Sequence, residues 1–462
     1  MIPARLEPIL SGDALAPALA DLLASAGFQV FLVGGTVRDL LLGNAHTDLD
    51  FATNARPEQV KQAVLGWADE VFSTGEAFGT IGVIKDGQLM EITTFRSEVY
   101  RDDSRKPQVE YASDIETDLG RRDFTVNAIA LRLPEPEMVD PHNGLTDLGA
   151  KLLRTPLGPE ISFGDDPLRM LRLYRFMSTL GFKATPAALA AVATMRDRLS
   201  IVSAERIRDE LSKLIVGDHV TIALEGLVES RLADEFLPEF TALADAHDPH
   251  QRHKDVLAHT VAVVAKTSPA LELRLAALLH DIGKPDTLSI EDRKVSFHHH
   301  EVVGSRMAKA RLQELKYPKP IVTDVARLVY LHMRPHTYAL GWTDRAVRRY
   351  VRDAGHLLVD LNELVRCDVT TRNEKRARQI ERRIDELEQR IAELRQQEEL
   401  DKLRPPIDGN EVMAYLGISP GPAVGEAMEM LMEYRLDEGP FEVEEAHRLL
   451  DEWAAQRGIE RS

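Results

Sequence analysis

Two glycines and an arginine near the amino terminus have the types and spacing of a phosphate site. The segment from Phe31 to Thr53 reads FLVGGTVRDLLLGNAHTDLDFAT. Its apolar start predicts a strand that breaks at Gly34 and Gly35, after which Thr36 is expected to cap a short helix. Backbone N–H groups at a helix start attract anions through the helix dipole. Arg38, on the first turn, would then be a further phosphate ligand.

Two aspartates follow on the next strand, and they suit a metal ion. Asp48 and Asp50 are two positions apart, so in a strand their side chains share one face. Such close carboxylates raise each other's pKa unless a cation lies between them. Mg²⁺ fits this site because it takes one or two carboxylates and completes its shell with phosphate oxygens and water. A lone pair of this kind is more often a solvated acidic edge. Here it shares one strand–helix–strand unit with the glycines, which favours a phosphate cradle facing a metal site.

The bulk composition limits the class of protein. The chain has 462 residues with 44% hydrophobic and 29% charged residues, so we expect a globular protein of two to four domains. No apolar run reaches the ~18 residues of a membrane span, and the amino terminus lacks a secretory pattern, so no membrane partner is expected. The single cysteine, Cys367, fits a reducing cytoplasm. The net charge of −18 argues against a broadly basic surface, so any RNA must be held by local basic patches.

A predicted hairpin supplies a third candidate carboxylate. Two β-rich runs, Thr80–Ile84 and Leu89–Phe95, are joined across Asp86-Gly87, a dipeptide typical of hairpin turns. The second strand carries Glu91. We take it as a candidate third catalytic carboxylate, although an ion pair with Arg96 or Lys85 is almost as plausible. The polar stretch from Tyr100 to Glu110 is expected to be a loop.

The Phe31–Thr53 segment resembles the signature of class II tRNA nucleotidyltransferases and bacterial poly(A) polymerases, members of the DNA polymerase β-like superfamily. Four more stretches resemble motifs of that family in the same order. They are ITTFR at 92–96, RRDFTVNA at 121–128, DDPLR at 165–169, where the family has E-D-x-x-R, and SAERIRDEL at 203–211. The stretch DPHNGLTDL at 140–148 also resembles the family's hinge between head and neck. In the family, the position of the 100–110 loop holds a flexible loop that helps in the final addition of adenosine.

The resemblance assigns roles to individual residues. Asp48 and Asp50 would hold two Mg²⁺ ions, with Glu91 as the third catalytic candidate. The nucleotide-binding residues would be Gly34, Gly35, Arg38, Arg121, Arg122, Asp123, Asn127, Asp166, Arg169, Arg172 and Arg175. From the residues alone, the adjacent arginines at 121 and 122 could also be a solvated helix start.

Asp166 and Arg169 suggest how a protein could choose a base. They are three positions apart on a predicted helix, where the ordinary interpretation is a weak ion pair. Cytosine and adenine both present an amino donor beside a ring-nitrogen acceptor, which an Asp–Arg pair can match. Guanine and uracil present the inverse pattern and would leave buried polar groups unpaired. The pair could thus select C and A without a template.

A second candidate metal site is built from histidines and aspartates spread over the later sequence. Its members are His259, His280, Asp281, His300, His332 and Asp368, all of them side chains that bind divalent metals. The series resembles the HD phosphohydrolase domain. That resemblance implies a second divalent metal and a phosphatase or cyclic-phosphodiesterase side activity. His298, His299 and His336 are left outside the predicted site.

The carboxyl-terminal part predicts a long amphipathic helix. Ile380, Ile384, Leu387, Ile391 and Leu394 repeat at spacings of four and three. A helical hairpin packed on its own chain is favoured over a coiled-coil dimer, and the oligomeric state, monomer or homodimer, stays open. The basic stretch from Arg372 to Arg383 is a candidate patch for tRNA.

The sequence therefore predicts an α+β protein. It would have a polymerase-β-like head with a mixed sheet and helices (1–150), then an all-α neck (151–240), HD domain (250–370) and tRNA-binding tail (371–462). The implied activity is template-independent nucleotidyl transfer from CTP and ATP to the 3′ end of tRNA, building the C-C-A terminus. The alternatives are a poly(A) polymerase, an A-adding or CC-adding enzyme, an HD-domain phosphohydrolase, and an RNA-binding protein without catalysis.

Overall fold

A computed structural model describes residues 2–11, 14–44, 48–99, 108–245, 255–291, 294–369, 374–398 and 404–459. The chain divides into two units: Met1–Thr241 with Glu314–Tyr317, and Ala242–Gln313 with Pro318–Ser462. Among the described helices, none is both long enough and apolar enough to cross a membrane.

The first unit is organised around a seven-stranded mixed sheet in the order β3-β4-β5-β2-β1-β8-β9. The pair β2–β5 is parallel, and the other neighbours in the sheet are antiparallel. The strands of this unit are β1 (Val30–Val33), β2 (Leu49–Thr53), β3 (Glu70–Phe72), β4 (Thr80–Lys85), β5 (Gln88–Thr94), β6 (Arg96–Val99), β7 (Gln108–Tyr111), β8 (Ala130–Leu133), β9 (Glu137–Val139), β10 (Leu152–Leu153) and β11 (Lys183–Ala184).

The hairpin prediction is confirmed. Strands β4 and β5 pair antiparallel from Thr80 opposite Thr93 to Lys85 opposite Gln88. Asp86 and Gly87 both have positive φ, 49° and 78°. That conformation matches the twist of the flanking strands, which explains why this dipeptide closes a two-residue loop.

The earlier helices of the first unit pack on the sheet, and the later ones pack on one another. Those of the first unit are α1 (Leu15–Ser25), α2 (Gly34–Leu42), α3 (Pro57–Ala63), α4 (Ile115–Gly120), α5 (Gly144–Ala150), α6 (Pro159–Asp165), α7 (Leu168–Leu180), α8 (Pro186–Met195), α9 (Ala204–Ile215), α10 (Val220–Glu229) and α11 (Pro238–Thr241). Helix α7 packs against α9 and α10. Its buried residues include Leu171, Leu173 and Tyr174, so α7 is a rigid base for the side chains that it presents.

The expectation that Thr36 caps a helix is wrong. Helix α2 already begins at Gly34, and Val33 occupies the cap position without a side-chain cap. The Thr36 hydroxyl instead donates to the carbonyl of Asp48 at 3.2 Å and accepts from the N–H of Asp50 at 3.0 Å. Thr36 thus fixes the aspartate strand against the helix. The end of α2 is as expected, with Gly43 left-handed at φ 80°.

The predicted loop from Tyr100 to Glu110 is partly strand. Residues 108–110 belong to β7, which pairs antiparallel with β6. Residues 100–107 lie outside the described residues. The polar composition did not predict this pairing. The two strands form a separate two-stranded ribbon rather than part of the large sheet, so they need no apolar pattern to form it.

The described residues of the second unit are helical apart from one pair of short strands. Its strands β12 (Leu288–Glu291) and β13 (Lys294–Phe297) pair antiparallel. Its helices are α12 (Val256–Lys266), α13 (Leu271–Leu279), α14 (His300–Glu314), α15 (Lys319–Leu331), α16 (Asp344–Ala354), α17 (Leu358–Cys367), α18 (Glu374–Glu398), α19 (Gly409–Leu416), α20 (Pro422–Glu438) and α21 (Val443–Arg457).

The heptad seam packs on this chain itself. Ile384, Leu387, Ile391 and Leu394 of α18 are all buried. The helix contacts α16 and α17, so no second copy is needed to cover the apolar stripe. The last three helices form a small core of their own around Leu431, Leu450 and Trp453. The α+β class, with a mixed sheet followed by helical parts, agrees with the prediction.

Candidate functional site

A cationic cleft in the first unit contains most of the predicted site. Its volume is about 730 Å³, and its lining includes eight arginines against three aspartates. Every residue predicted to bind the nucleotide lines it, and so does Asp50. These residues are Gly34, Gly35, Arg38, Arg121, Arg122, Asp123, Asn127, Asp166, Arg169, Arg172 and Arg175. In an acidic chain, such a local excess of guanidinium groups suits a polyphosphate.

The turn from β1 into α2 brings backbone close to the acidic strand. Gly34 has φ +69°, a left-handed conformation that glycine adopts at low cost. A Cβ at this position would lie 2.7 Å from Nη1 of Arg122 and 3.7 Å from Oδ2 of Asp50. Gly34 is therefore required both by its backbone and by the side chains that face it.

The three candidate carboxylates occupy neighbouring positions of the sheet. Asp50 on β2 lies opposite Glu91 in the parallel register of β5. Asp48 precedes β2 by one residue, so only Asp50 lies in the strand. The prediction that both aspartates lie in one strand is therefore correct only for Asp50. Asp48 and Glu91 lie outside the cleft lining. Lys85, one suggested partner of Glu91, instead pairs with Asp69 at 3.0 Å.

Asp50 has an unusual proton affinity. Burial raises its pKa to about 6, Arg122 opposes this rise, and Glu91 and Asp48 add to it. The loss of water and the repulsion of two neighbouring carboxylates both destabilise the ionised form of such a buried carboxyl group. This is the electrostatic condition in which a divalent cation binds favourably.

A chain of hydrogen bonds connects the glycine turn to the neck helix α7. Arg38 Nη1 donates to Oδ1 of Asn127 at 2.6 Å, and Nδ2 of Asn127 donates to Oδ1 of Asp123 at 2.8 Å. Arg172 on α7 donates to Oδ2 of Asp123 through Nε at 2.9 Å. Arg172 Nη1 also reaches Glu210 on α9 at 3.1 Å. The network holds four cleft residues in fixed positions.

The carboxylate of Asp118 positions the paired arginines. It is fully buried and accepts from Nη2 of Arg121 at 2.7 Å and from Nη2 of Arg122 at 3.1 Å. Although burial opposes ionisation, the two guanidinium groups hold the pKa of Asp118 below its ordinary value. Sequence reasoning missed this residue, which lies in α4 three and four positions before the two arginines that follow the helix; that spacing was a usable signal.

Asp166 and Arg169 line the same cleft without forming the predicted pair. Arg169 is buried and donates through Nη1 to the hydroxyl of Ser162 at 3.0 Å and through Nη2 to the carbonyl of Arg121. Asp166 accepts from Nη2 of Arg206 at 2.7 Å. Asp166 lies just before α7, at the end of α6, so helical i, i+3 geometry does not apply to it. Arg206, from the 203–211 motif, was not among the predicted site residues, yet it also lines the cleft.

Two further cleft residues were not selected from the sequence. Phe78 and Arg96 line one side of the cleft, and Nη1 of Arg96 donates to the carbonyl of Phe78. The sequence placed Arg96 at the end of the ITTFR motif and considered it as a partner for Glu91, but gave it no role in the site. Neither residue belongs to a charged cluster in the sequence, so tertiary structure alone brings them to the cleft.

In the second unit, all six predicted metal ligands meet in one cluster. Two sets of three have ligand atoms within 4.8 Å of one another: His259, His280 and Asp368, and Asp281, His300 and His332. The Nε2 atoms converge, at 3.3 Å for His259–His280 and 3.3 Å for His300–His332. Asp281 lies between the sets, with Oδ2 at 3.2 Å from His280 and Oδ1 at 3.5 Å from His300.

The histidine rings are oriented as metal ligands are. The Nδ1 atoms of His280, His300 and His332 lie 2.8, 2.8 and 2.6 Å from backbone carbonyl oxygens. A carbonyl bonded to Nδ1–H leaves Nε2 free of its proton and available to a metal. Although burial opposes it, Asp281 and Asp368 raise the pKa of His280 to about 10. Burial and the neighbouring His280 lower the pKa of His332 to about 3.

His336 lies at the edge of this cluster. Its Nε2 is 3.0 Å from Oδ2 of Asp368. His336, which was left outside the predicted site, therefore contacts a predicted metal ligand. His336 follows α15 on a short 3-10 helix, Arg334–Leu340, four residues after His332. That spacing after a predicted ligand was the available sequence signal.

Three known protein families each match one segment of this chain. The poly A polymerase head domain matches residues 30–154, the RNA- and SrmB-binding site of polymerase A matches residues 181–243, and the HD domain matches residues 256–391. Four of the eight cleft arginines fall in the first match, three lie between the first two matches and Arg206 lies in the second. The histidine cluster lies in the third match.

Individual relatives agree with this assignment. The A-adding tRNA nucleotidyltransferase of Deinococcus radiodurans is 33% identical over 439 residues, covering 92% of this chain and 95% of the relative. The CCA-adding enzymes of Bacillus subtilis and Leuconostoc citreum are 40% and 39% identical over 47% of this chain. Those matches span only about half of the relatives' own length, 54% and 52%.

Solved structures share the fold. The Bacillus stearothermophilus CCA-adding enzyme in complex with CTP superposes with a TM-score of 0.70 at 24% identity, covering 99% of both chains. The Thermotoga maritima CCA-adding enzyme complexed with tRNA has a TM-score of 0.59 at 17% identity, covering 98% of both. Together with the near full-length relative, these findings show that the chain belongs to the tRNA nucleotidyltransferase and poly(A) polymerase family and carries an HD domain.

Proposed function

We propose that this protein transfers nucleotidyl groups from CTP and ATP to the 3′ end of tRNA and releases pyrophosphate. The observation that carries the proposal is the cleft in the first unit, where Asp50 faces a glycine turn and eight arginines. Relatives across the family are named CCA-adding or A-adding enzymes, which supports this substrate class. The single cysteine and the family assignment favour a cytoplasmic location.

The residues of the cleft divide the work of holding the triphosphate. The backbone N–H groups after Gly34 and the guanidinium of Arg38 would bind phosphate oxygens at the helix start. Arg122 and Arg121, fixed by Asp118, would bind the sugar and the remaining phosphates. Their fork geometry allows two N–H bonds to one phosphate. Because these groups are held before the nucleotide arrives, little reorganisation is needed on binding.

The acidic end of the cleft fits a pair of Mg²⁺ ions. Asp48 and Asp50 would hold them, with Glu91 opposite Asp50 as a third carboxylate. Burial, with added repulsion from Glu91 and Asp48, raises the pKa of Asp50, and a bound cation would favour its ionised form. When bound, the ions would lower the pKa of an attacking hydroxyl and neutralise the charge of the leaving phosphates.

Base selection would fall to Asp166 and Arg169. Arg169 is fixed by Ser162 and the carbonyl of Arg121, and Asp166 is held by Arg206. Both side chains line the cleft, so an acceptor and a donor are available there without facing each other. A base with an amino group beside a ring acceptor satisfies both, whereas the inverse pattern leaves a buried polar group unpaired.

Incorporation on three tRNA transcripts tests the proposal. The transcripts end at the discriminator base, at C and at C-C, and CTP and ATP are supplied singly and together with the products sized on a sequencing gel. The proposal expects growth to C-C-A and then a stop. Asp50→Asn is the control that should abolish all incorporation. No incorporation by the wild type with Mg²⁺ or Mn²⁺ contradicts the proposal.

An A-adding enzyme is the second candidate within the family. The relative that this chain covers almost completely is an A-adding tRNA nucleotidyltransferase, whereas the CCA-adding relatives match over about half of their length. Addition of A only to the transcript ending in C-C would establish this specialisation. Long A tails would instead identify a poly(A) polymerase.

The histidine–aspartate cluster supports a second, hydrolytic activity. Its Nε2 atoms converge on carboxylates of Asp281 and Asp368, and the donor set suits a divalent metal such as Mn²⁺ or Ni²⁺. We propose a phosphatase or phosphodiesterase activity that needs this metal. Hydrolysis of p-nitrophenyl phosphate or its bis ester by wild type but not by Asp281→Asn tests it, with Asp50→Asn as the matched control.

A further inference from the structure

A stripe of polar and basic side chains runs along the first half of α18. Lys375, Gln379 and Arg383 are four residues apart, so they lie on one face of the helix. Arg378 and Arg382 flank them, one position before Gln379 and Arg383. The stripe thus places four cations within about two and a half helical turns.

This stripe forms the wall of a cavity next to the metal cluster. The cavity has a volume of about 580 Å³, and Lys375, Gln379 and Arg383 line one side while His336 lines the other. The Nε2 of His336 contacts Oδ2 of Asp368 at 3.0 Å. One side chain therefore separates the cavity from a predicted metal ligand. A second cavity of about 750 Å³ shares the stripe and adds Arg378, Arg382 and Glu386.

Arg383 has no carboxylate partner in the part of the chain that the structure describes, although it is half-buried. Other arginines of this unit are neutralised. Arg366 pairs with Asp385 and Glu388 of α18, both at 2.7 Å, and Arg390 pairs with Asp344. Two carboxylates of the helix, Asp385 and Glu388, are thus paired with Arg366 rather than with Arg383. In a chain with net charge −18, an unneutralised half-buried guanidinium indicates a site that an external anion completes.

We propose that this cavity is a phosphate subsite that binds the backbone of an RNA strand beside the histidine–aspartate cluster. The fork of Arg383 and the ammonium of Lys375 would contact phosphate oxygens, and Gln379 would donate between them. The cations continue past the cavity along the helix, which fits successive phosphates of a strand better than one small phosphate ester. The identification of the polyanion as RNA rests on the proposed function.

Salt dependence of RNA binding tests this subsite in the full-length protein. The probe is a fluorescein-labelled single-stranded RNA of twelve nucleotides, and its dissociation constant is measured by anisotropy from low to moderate salt. For single strands, each phosphate contact contributes about 0.7 to the slope of log K against log salt. Lys375→Gln/Arg383→Gln should therefore reduce the slope by about 1.4 and weaken binding at low salt about tenfold.

Arg395→Gln is the control for Arg383→Gln alone, because each removes one positive charge from the same helix and Arg395 lies outside both cavities. Gln379→Glu is a second variant that introduces repulsion at an exposed position and should weaken binding by itself. Thermal melting verifies that the variants fold. A slope that is equal in the double variant and in Arg395→Gln overturns the proposal. Displacement of the RNA by AMP at the same phosphate concentration also overturns the strand assignment.

Incorporation assays in parallel separate this proposal from the proposed function. Normal CTP and ATP incorporation with an unchanged salt slope would remove only the subsite. A reduced slope without any incorporation by wild type would retain the phosphate subsite and remove the proposed function.

Discussion

Arg38 Nη1 donates a 2.6 Å hydrogen bond to Oδ1 of Asn127, although the two residues are 89 positions apart in the sequence. This bond joins the glycine turn to the motif at 121–128 and, through Asp123, to Arg172 of the neck helix. The glycine turn, the 121–128 motif and the neck helix are thereby joined by one hydrogen-bond network. Disturbing its centre should affect nucleotide binding as a whole.

Asn127→Ala tests the network. The substitution leaves Arg38 and Asp123 each without one buried partner, which typically costs about 1–3 kcal/mol. We expect kcat/KM for the nucleotide to fall about 10–100-fold, with a lower melting temperature. Asn54→Ala is the control, because it removes a comparable bond from the N–H of Gln29 at an exposed site. Equal activity in the two variants would show that the network does not position the site.

Gly34→Ala should damage nucleotide binding more than it damages folding. The new methyl would meet Arg122 Nη1 at 2.7 Å in addition to the strain of φ +69°. Gly27→Ala is a matched control with φ +88° and no atom within 4 Å of the added Cβ. Both should lose about 1 kcal/mol of stability, but only Gly34→Ala should raise the KM for nucleotide, about tenfold or more. Steady-state kinetics and thermal melting measure the two effects.

Asp50→Asn should stabilise the metal-free protein while abolishing activity. The folded pKa of Asp50, about 6, lies above the ordinary 3.8. The folded state therefore keeps a proton that the unfolded chain has lost, and stability from this group declines as pH rises from about 4 to 6. At pH 7.5 the substitution should gain about 2 kcal/mol and raise the melting temperature by a few degrees.

At pH 4 the same substitution should change the melting temperature little, since the carboxyl is then protonated in the folded state. The control is Asp69→Asn, an exposed partner of Lys85 whose pKa is lowered rather than raised. It should not stabilise the protein at pH 7.5. An equal rise in both variants would contradict the charge explanation.

Asp166→Ala should relax the choice of base. Removing the acceptor takes away the penalty that UTP or GTP meets in the cleft, so discrimination against them should fall about 100-fold. The ratio of kcat/KM for CTP and UTP on a transcript ending at the discriminator base measures this change. Asp209→Ala, which removes an exposed carboxylate that pairs with Arg208 on α9, should leave the ratio unchanged.

Removal of metal should affect the second unit through Asp281. We expect Mn²⁺ or Ni²⁺ to raise the melting temperature of the wild type, because a ligand that binds only the folded state stabilises it. Asp281→Ala removes the carboxylate between the two ligand sets and should lose most of this shift. Asp50→Asn should retain it. Elemental analysis after dialysis gives an independent measure, and equal metal content in Asp281→Ala would contradict the assignment.

Much of the site could be predicted because its residues occur in short, locally constrained segments. The Gly34–Gly35 break follows directly from an apolar strand running into a helix, and the Asp86-Gly87 turn follows from its dihedral requirements. The six candidate metal ligands could be chosen because an adjacent His280–Asp281 pair and widely spaced histidines have few other uses. Each of these features depends on side-chain chemistry or on local backbone preference, which the sequence alone determines.

Other features depend on contacts between distant segments, and only tertiary structure decided them. Thr36 bonds Asp48 and Asp50 rather than its own helix, and Asp166 pairs with Arg206 across 40 positions instead of with Arg169. Packing also brings Asp118 to the cleft arginines and His336 to the histidine–aspartate cluster. A polar side chain bonds the partner that folding brings within reach, and sequence spacing fixes that partner only inside one helix or turn. The chemistry of this protein was therefore set by its residue types, and the geometry of its cleft by how β2, α7 and α9 come together.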